Sequence, residues 1–492
     1  MKFSQTVERG LRTRFRIRAS EERVRRPRST PAIISLLTKE DLSGRSALAK
    51  ADACPGDVCS VEAEVKVSES KDRRVPINHR PFLSRLWLGA VLVIGLGAAG
   101  CQTTPAATAP AGAEPHWIAA WTTASIPVDA AKDDTPLADA TLRQVVRITS
   151  DGSALRLRLG NHFGAEPLGL RGARVALARP GGAIEPGSSR VVRFNGAGTA
   201  SVPVGARLLS DPIELPLTAG ADVAISLWFE KLPERLTAHP GSRTTSYLQA
   251  GDALDAVELP AAKTFARWYF IDGIEVLSRA AGAIAILGDS ITDGYGCKPD
   301  SNTRWPDFLA RRLQASATPD SWAVLNLGIG GNRLLRDGLG PNALARLERD
   351  IIAQPGVRWL VVFAGINDIG TRLEARKQQQ PFASAAEIIA ALEQIAARAR
   401  AHGIRVIGGT ITPYAGANFY WSEDGEADRQ AVNRWIRESG RFDAVMDFDA
   451  VLRDASDPAR LDPRYDSGDH LHPSAAGYEA LANAVPLELF KP

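Results

Sequence analysis

The stretch AIAILGDSITDGYG, residues 283–296, decides the fold of the C-terminal part of this 492-residue sequence. Five apolar residues, the pattern of a buried strand, run into Gly-Asp-Ser, and the chain then becomes polar. Continuous apolar strands are typical of parallel sheets that are covered on both faces. Ser290 follows the strand directly, so we expect its hydroxyl at the carboxyl edge of the sheet, where such folds place their functional groups.

Strands and helices alternate through the whole segment 280–492. Apolar runs predict strands at 283–287, 324–327, 359–363, 406–410 and 444–448. The sequences between them carry apolar residues three and four apart, as in amphipathic helices: WPDFLARRLQA, NALARLERDIIAQ, AAEIIAALEQIAARARAHG and EADRQAVNRWIRES. This alternation predicts an α/β domain with a parallel sheet and right-handed crossovers.

The segment 116–277 has a different pattern. Short runs such as LRQVVRIT, SALRLRLGN, RVALA, RVVRFN, TASVPV and ADVAISLWFE alternate apolar and polar residues, with Gly, Pro, Asp and Ser between them. Regularly spaced short strands of this kind favour an antiparallel β-sandwich, which we expect to resemble a jelly roll. We therefore predict a separate β-sandwich domain ahead of the α/β domain.

The composition is that of a soluble globular protein, with 45% hydrophobic and 23% charged residues. The formal net charge of +3 is unevenly distributed. Residues 1–100 contain 19 Lys and Arg against 11 Asp and Glu, whereas the remaining residues contain 40 against 45. Because the folded part is slightly acidic, the sequence gives no electrostatic reason to expect a nucleic-acid partner.

The first 100 residues resemble a leader. Residues 1–80 are basic and lack sustained periodicity, so we expect disorder there, or a translation start that lies further downstream, near Val75. In 81–100, Arg85 precedes an apolar run, 86–100, that is too short for an ordinary membrane span and ends in small residues before Cys101. A buried core helix is the alternative interpretation of this run.

Residues 81–101 are similar to a bacterial lipoprotein signal peptide. The resemblance implies cleavage before Cys101, lipidation of that cysteine and export, with the protein anchored to a membrane in the periplasm or at the outer membrane of a Gram-negative cell. The Pro/Ala/Thr-rich segment 101–115 is typical of a tether. Of the remaining cysteines only Cys297 lies beyond the leader, so no disulfide framework is predicted.

A nucleophilic serine needs a base, and the segment DSGDHLHPSAAGY (466–478) supplies the best candidates. His472 precedes Pro473, which suits the first position of a helix, and Asp469 lies three residues before the histidine. This spacing lets the carboxylate bind one imidazole nitrogen while the other faces Ser290. His470 is the competing base, and Asp466 is the alternative acid.

Two other strand ends can supply hydrogen-bond donors for an oxyanion. VLNLGIGGNRLL (324–335) places a glycine-rich loop after the second strand, and VVFAGINDIG (361–370) ends the third strand with Asn367. We expect Asp289 and Asp368 to shape their loops through bonds to the backbone. The loop containing Tyr420 and Trp421 is a candidate substrate contact, whereas Trp305 is expected in the core. No cluster has metal-ligand spacing, and we expect neither metal nor cofactor.

These blocks together resemble the SGNH (GDSL-type) esterase and lipase superfamily. GDSITDG matches the first block with Ser290, NLGIGGN the second with Gly331 (or Gly330), GIND the third with Asn367, and DHLH the last with Asp469 and His472. The resemblance implies a flavodoxin-like three-layer α/β/α fold and ester hydrolysis through an acyl-serine intermediate. It also implies an oxyanion hole formed by the N–H groups of Ser290 and Gly331 and the amide of Asn367.

Longer phrases are similar to the XynE-like carbohydrate esterase branch: ITDGYG, GIGGNRLL, GTITPY, VNRWIR and DSGDHLHPSAAGY. This resemblance implies an acylated carbohydrate substrate such as acetylated xylan. A lipase, lysophospholipase or arylesterase of the same superfamily is the alternative enzyme. A noncatalytic carbohydrate-binding surface protein is the alternative outside enzymes.

Overall fold

The parallel sheet predicted from the apolar runs is present in the computed structural model, which describes residues 114–133, 135–316 and 322–491. The predictions for the basic leader, the signal peptide, the lipid site at Cys101 and most of the tether lie outside these residues. No helix in the described ranges is long and apolar enough to cross a membrane.

The region before residue 280 is built of antiparallel strands. They are β1 (His116–Thr122), β2 (Ile126–Asp129), β3 (Ala140–Arg147), β4 (Gly152–Gly160), β5 (Leu168–Leu177), β6 (Arg190–Val191), β7 (Ala200–Val202), β8 (Arg207–Leu209), β9 (Ile213–Leu217), β10 (Asp222–Lys231), β11 (Arg235–His239), β12 (Ser246–Ala250), β13 (Lys263–Phe265), β14 (Trp268–Tyr269) and β15 (Ile271–Ser278). The short segments Ala130–Lys132 and Pro180–Gly182 are 3₁₀ turns. We call this part the β region.

The strands of the β region form three sheets. Their orders are β1-β15-β4-β8 with β9 paired to β4, β13-β12-β3-β10-β5-β6 with β7 paired to β5, and β14-β11-β2. Side-chain alternation explains the strands: in β9, Ile213, Leu215 and Leu217 are buried while Glu214 and Pro216 are exposed. The β-rich, antiparallel character is confirmed, and its description as a jelly-roll-like sandwich domain of its own stays a prediction.

The region after residue 280, which we call the α/β region, alternates strands and helices. Its elements are β16 (Gly282–Gly288), α1 (Ser290–Asp293), α2 (Trp305–Ala315), β17 (Trp322–Gly328), α3 (Ala343–Leu347), β18 (Val357–Phe363), α4 (Ile366–Gly370), α5 (Arg372–Lys377), α6 (Ala385–Ala401), β19 (Arg405–Gly409), α7 (Glu423–Glu438), β20 (Ala444–Met446), α8 (Phe448–Leu452) and α9 (Ala475–Asn483). A π-helical turn, Glu348–Ile352, continues α3, and a 3₁₀ turn, Leu487–Phe490, follows α9.

The five strands of the α/β region form one parallel sheet in the order β17-β16-β18-β19-β20. This order, 2-1-3-4-5 along the chain, is that of flavodoxin-like sheets. Gly288, the last residue of β16, pairs with Gly328 of β17 and with Phe363 of β18. The three strands therefore end level with one another, so the segments that follow them meet at one edge.

Both faces of this sheet are buried. Ala283, Ala285 and Leu287 of β16 belong to a hydrophobic cluster that includes residues of α6 and of the β region. Ile284 and Ile286 belong to a second cluster, with residues of α2 and α9. The alternation of β16 between two cores explains why its sequence is apolar throughout. The strict three-layer description stays a prediction.

The β region packs directly on the α/β region, and both lie in one compact unit. The N–H of Ala119 in β1 donates to the carbonyl of Pro355, at 2.9 Å. Thr149 Oγ1 accepts from the N–H of Val324 in β17 at 3.0 Å and lies 3.1 Å from the carbonyl oxygen of the same residue. The first core therefore runs through both regions rather than stopping at residue 280.

Several element boundaries differ from the sequence-based predictions because side chains cap the helices. The strand predicted at 444–448 ends at Met446, since the Asp447 side chain accepts from the N–H of Ala450 and starts α8. The helix after His472 begins at Ala475 and not at Pro473, because Ser474 Oγ accepts from the N–H of Gly477.

Candidate active site

Ser290 is the first residue of α1, immediately after the turn that ends β16. Gly288, the last residue of β16, leaves room for this turn, because a Cβ there would clash with Thr292 and lie close to the carbonyl of Phe363. Asp289 is the N-cap, and its Oδ1 accepts from the N–H of Ile291 at 3.0 Å. Ser290 is thereby fixed at the carboxyl edge of the sheet.

His472 and Asp469 meet Ser290 in a continuous hydrogen-bonded chain. His472 Nε2 lies 2.8 Å from Ser290 Oγ, and His472 Nδ1 lies 2.6 Å from Asp469 Oδ2. Because a carboxylate only accepts, Nδ1 carries the proton, and Nε2 is left as the acceptor that faces the serine hydroxyl. The structure therefore brings together the three residues predicted as a catalytic triad, whose roles in catalysis stay predictions.

The environment of the pair favours an ionised Asp469 and a neutral His472. Burial alone would raise the pKa of Asp469, but hydrogen bonds from the backbone and imidazole of His472 and from the N–H of Leu471 lower it overall. Burial lowers the pKa of His472, the nearby Arg243 charge adds to this effect, and Asp469 opposes it. A neutral imidazole is the form that can accept the serine proton.

The competing residues form a second pair that does not reach Ser290. His470 Nδ1 lies 2.6 Å from Asp466 Oδ2, and the His470 side chain is about half exposed. His470 has a φ of 61°, in the left-handed region that residues other than glycine rarely adopt. The geometry therefore separates the two histidines, with only His472 bonded to the serine.

The predicted oxyanion donors lie on the two neighbouring strand ends. Gly331 has a φ of 69° in the loop after β17, a conformation that favours glycine. Among the backbone hydrogen bonds of the described residues, none engages the N–H of Ser290, Gly330 or Gly331. These donors remain free for a ligand, and the choice between Gly330 and Gly331 stays open.

β18 ends at Phe363, as predicted for the third strand, Gly365 turns the chain with a φ of 126°, and Asn367 follows in α4. Its Nδ2 donates to the carbonyl of Asn332 at 3.0 Å, and its Oδ1 accepts from the Tyr420 hydroxyl at 2.9 Å. The Asn332 carbonyl can only accept, so it fixes which side of the amide is the donor, and the second N–H of Nδ2 remains available.

Asp368, next to Asn367, supports the glycine-rich loop. Its two carboxylate oxygens accept from the N–H groups of Leu334 and Leu335, at 2.8 and 3.2 Å. This is the backbone-binding role expected for it. Burial raises the pKa of Asp368 to about 6 and that of Asp289 to about 7.

Three exposed apolar side chains surround the site. Tyr295 stacks on His472 with ring centroids 4.1 Å apart, and Phe419 packs against Tyr420 at 5.2 Å. Leu339 is 68% exposed and lies against Gly331, so close that a Cβ on this glycine would touch it. Trp305, in contrast, is completely buried under the sheet, as expected for a core residue.

The β region also contributes to this site, which the sequence did not predict. His239, at the end of β11, binds Asp293 of α1 at 2.9 Å, and Arg243 lies over the ring of Tyr295. No local motif marks either residue, because each reaches the site only through the packing of the two regions. Within the described ranges, no group of three or more His, Cys, Asp or Glu side chains could hold a metal ion.

Residues 286–480 match the GDSL-like lipase/acylhydrolase family, so the α/β region carries a domain of this family. Ser290 and His472, and all the residues between them in the sequence, lie within this match. It places the domain among hydrolases that act on esters. Comparison with curated proteins finds no match.

Solved structures of similar proteins cover the same part of the chain. One is a GDSL-like lipase from Bacteroides thetaiotaomicron, with 19% identity and a TM-score of 0.32, covering 42% of this chain and 85% of that one. Another is a variant of Axe2, an acetyl xylan esterase from Geobacillus stearothermophilus, with 23% identity and a TM-score of 0.34, covering 42% and 93%. These TM-scores are too low to support an argument about function.

Proposed function

We propose that the GDSL-like domain of this protein is an active serine esterase that hydrolyses short-chain acyl esters through an acyl-serine intermediate. The observation that carries the proposal is the hydrogen-bonded chain from Ser290 Oγ through the imidazole of His472 to Asp469, at 2.8 and 2.6 Å. A serine hydroxyl is a weak nucleophile unless a base in this position takes its proton.

In the first half of the reaction, Ser290 Oγ attacks the ester carbonyl carbon while His472 Nε2 takes the hydroxyl proton. The carbonyl oxygen becomes an oxyanion, which the N–H groups of Ser290 and Gly331 and the Asn367 amide stabilise. Asp469 holds the imidazole in the required tautomer and stabilises its positive charge. The tetrahedral intermediate then expels the alcohol, which receives its proton from Nε2, and leaves an acyl group on Ser290.

In the second half, a water molecule attacks the acyl-serine carbonyl and gives one proton to His472 Nε2. Collapse of this intermediate breaks the bond to Ser290 Oγ, and Nε2 returns its proton to the serine. The net reaction consumes one ester and one water and yields one carboxylic acid and one alcohol. The same oxyanion donors act in both halves.

We further propose that the alcohol part of the substrate is a polysaccharide, with acetylated xylan as the first candidate. The resemblance of ITDGYG and GIGGNRLL to carbohydrate esterases supports this choice. A cavity of about 310 Å³, lined in part by Asp368, the neighbour of Asn367, also supports it, because eight of its twelve lining residues have polar side chains: Arg333, Arg336, Asp337, Asp368, Thr371, Glu374, Gln378 and Gln380. Such a lining suits hydroxyl groups better than a long acyl chain.

The substrate test measures acetate and fatty-acid release from one panel: acetylated xylan, acetylated monosaccharides, 4-nitrophenyl acetate and octanoate, and a phospholipid. We expect acetate release from the xylan and the short aryl ester, and little fatty-acid release. Ser290→Ala, folded by circular dichroism, should lose turnover by about four orders of magnitude or more and lose fluorophosphonate labelling. Faster cleavage of the octanoate or phospholipid would favour a lipase, and no turnover on any ester would reject the esterase.

We also propose that the protein is exported and lipid-anchored at Cys101, at the outer membrane or in the periplasm of a Gram-negative cell. Support comes from the apolar run 86–100 and from the tether that follows it. The anchor would keep a water-soluble domain where polymer fragments arrive. Mass spectrometry of the processed N-terminus, with detergent partitioning of Cys101→Ser, tests this. An unmodified N-terminus upstream of Cys101 would reject the anchor and leave the esterase proposal untouched.

A further inference from the structure

Arg243 brings a positive charge from the β region to the candidate active site. Its guanidinium carbon lies 5.7 Å from the centroid of the Tyr295 ring, and that ring stacks on His472. Arg243 lies between β11 and β12, outside the match to the hydrolase family. The Arg243 side chain therefore adds to the site a positive charge that does not come from any of the four sequence blocks.

The backbone that carries Arg243 is held in place on both sides. The N–H of Asp300 donates to the Arg243 carbonyl at 2.9 Å, and the Asp300 carboxylate accepts from the N–H of Thr245 at 2.7 Å. Arg304 donates to the carbonyl of Ser242. These bonds connect the segment to the loop after α1, which also carries Tyr295.

Arg243 has a φ of 50°, in the left-handed region that residues other than glycine rarely adopt. A conformation of this kind is strained and persists only where the surroundings enforce it. Such outliers occur preferentially at ligand-binding positions. Here the turn carries a long charged side chain that lies over Tyr295, the residue stacked on His472.

The guanidinium has no acceptor among the parts of the chain that the structure describes. Among the described residues it makes no hydrogen bond and no ion pair, and its Nε is shielded from solvent without a partner. The carboxylates of this neighbourhood are each engaged elsewhere: Asp469 by His472, Asp466 by His470, Asp293 by His239 and Asp300 by Thr245. A positive charge without an ion-pair partner among the described residues therefore lies one aromatic ring away from His472.

We propose that Arg243 is a substrate-binding residue that recognises a carboxylate on the ester, so that the enzyme prefers acyl esters bearing a negative charge near the scissile bond. A guanidinium presents planar, paired donors that match a carboxylate, and such charge-assisted bonds are about twice as strong as neutral ones. The carboxylate belongs either to an acidic sugar in the alcohol part or to the acyl group. The proposal rests on the esterase activity proposed above.

The test compares kcat/KM for two matched pairs of esters. The alcohol-side pair is an O-acetylated methyl glucuronide and the equally acetylated methyl glucoside. The acyl-side pair is 4-nitrophenyl hemisuccinate and 4-nitrophenyl butyrate. Wild-type protein is compared with Arg243→Gln, Arg243→Lys and the control Arg171→Gln, which removes another arginine of the β region that lies over an aromatic ring, that of Trp228.

We expect the wild type to prefer the charged member of one pair by about tenfold or more. The pair that shows the preference identifies the source of the carboxylate. Arg243→Gln should abolish the preference mainly through KM, Arg243→Lys should keep part of it, and Arg171→Gln should keep all of it. Added salt should reduce it, because salt screens the attraction between the guanidinium and the carboxylate.

Two results would overturn the inference: equal or better cleavage of the neutral member in both pairs, or an Arg243→Gln protein that keeps the preference. Both results presuppose that the wild type cleaves the neutral esters. If it cleaves no ester at all, the proposed function fails instead, so the two failures are distinguishable. Thermal unfolding of Arg243→Gln checks that its fold is intact.

Discussion

His239 Nε2 lies 2.9 Å from Asp293 Oδ1, and this bond joins the end of β11 to the helix that begins with Ser290. His239 Nδ1 lies 2.8 Å from the carbonyl of Ala124, so Nδ1 must donate there. The hydrogen bond between Nε2 and Asp293 then needs a second proton between these two atoms. Both side chains are almost completely buried.

His239→Ala should destabilise the protein by about 3 to 5 kcal/mol, because it leaves a buried carboxyl group without its partner. Activity should fall as well, since α1 loses an anchor. Chemical denaturation of the single variants His239→Ala and Asp293→Asn and of the double variant measures this. The double variant should be less destabilised than the sum of the singles, and strict additivity would contradict the pairing.

His472→Ala should reduce turnover about as severely as Ser290→Ala, whereas His470→Ala should retain most of it. Only His472 is bonded to the serine, and His470 is bonded to Asp466. Turnover of 4-nitrophenyl acetate by both folded variants tests the assignment. Equal loss in the two variants would leave it without support.

Tyr420→Phe should lower kcat by about tenfold with little change in KM, because the Asn367 amide loses the hydrogen bond that orients it toward the oxyanion. Tyr247→Phe, in the β region, is the matched control and should retain wild-type kinetics. A rise in KM without a change in kcat would instead indicate that Tyr420 contacts the substrate.

The acid limb of the kcat/KM profile should have its midpoint below 6.5, the ordinary pKa of histidine. Activity needs neutral His472, and burial together with Arg243 lowers its pKa against the opposing effect of Asp469. Arg243→Gln removes the positive charge, so the midpoint should move to higher pH. Arg243→Lys should stay close to the wild type, and a midpoint that does not move in Arg243→Gln would show that the charge does not act on His472.

Asp289→Asn should flatten the pH dependence of stability. Burial raises the pKa of Asp289 from 3.8 to about 7 in the folded protein. The wild-type free energy of unfolding should therefore decrease as the pH rises from the lower of these pKa values to the higher. Asp289 contributes at most about 4 kcal/mol to this decrease, and its contribution should stay constant at higher pH. Asparagine cannot ionise, and its side-chain oxygen can still accept from Ile291. Urea denaturation at pH 5 and pH 8 measures the change in the free energy of unfolding for both proteins. The same change in Asp289→Asn as in the wild type would refute the prediction.

The parallel sheet and the core of the site could be predicted from sequence because their signals are local. The apolar run before Ser290 predicted a buried strand, and the three-residue spacing of Asp469 and His472 predicted their hydrogen bond. Parallel strands end at one edge of a sheet, so residues following separate strands were expected to meet. The register of Gly288 with Gly328 shows why they do.

The remaining contacts depend on packing that no short pattern encodes. Arg243 and Tyr295 are 52 positions apart, and His239 and Asp293 54. The pairing of β1 with β15 joins the two ends of the β region. The alternation of apolar and polar residues along each strand could not predict this pairing either. Helix starts were shifted by caps such as Ser474 and Asp447, whose side chains compete for backbone groups within a few residues.

The bonds between Thr149 and Val324 have a consequence for any attempt to express the α/β region alone. β17 is the outermost strand on its side of the parallel sheet, and Thr149 occupies backbone groups there that would otherwise be open to another chain. Without the β region, that border would expose unpaired N–H and C=O groups beside apolar side chains. We expect such a fragment to self-associate through this strand and accumulate as insoluble protein.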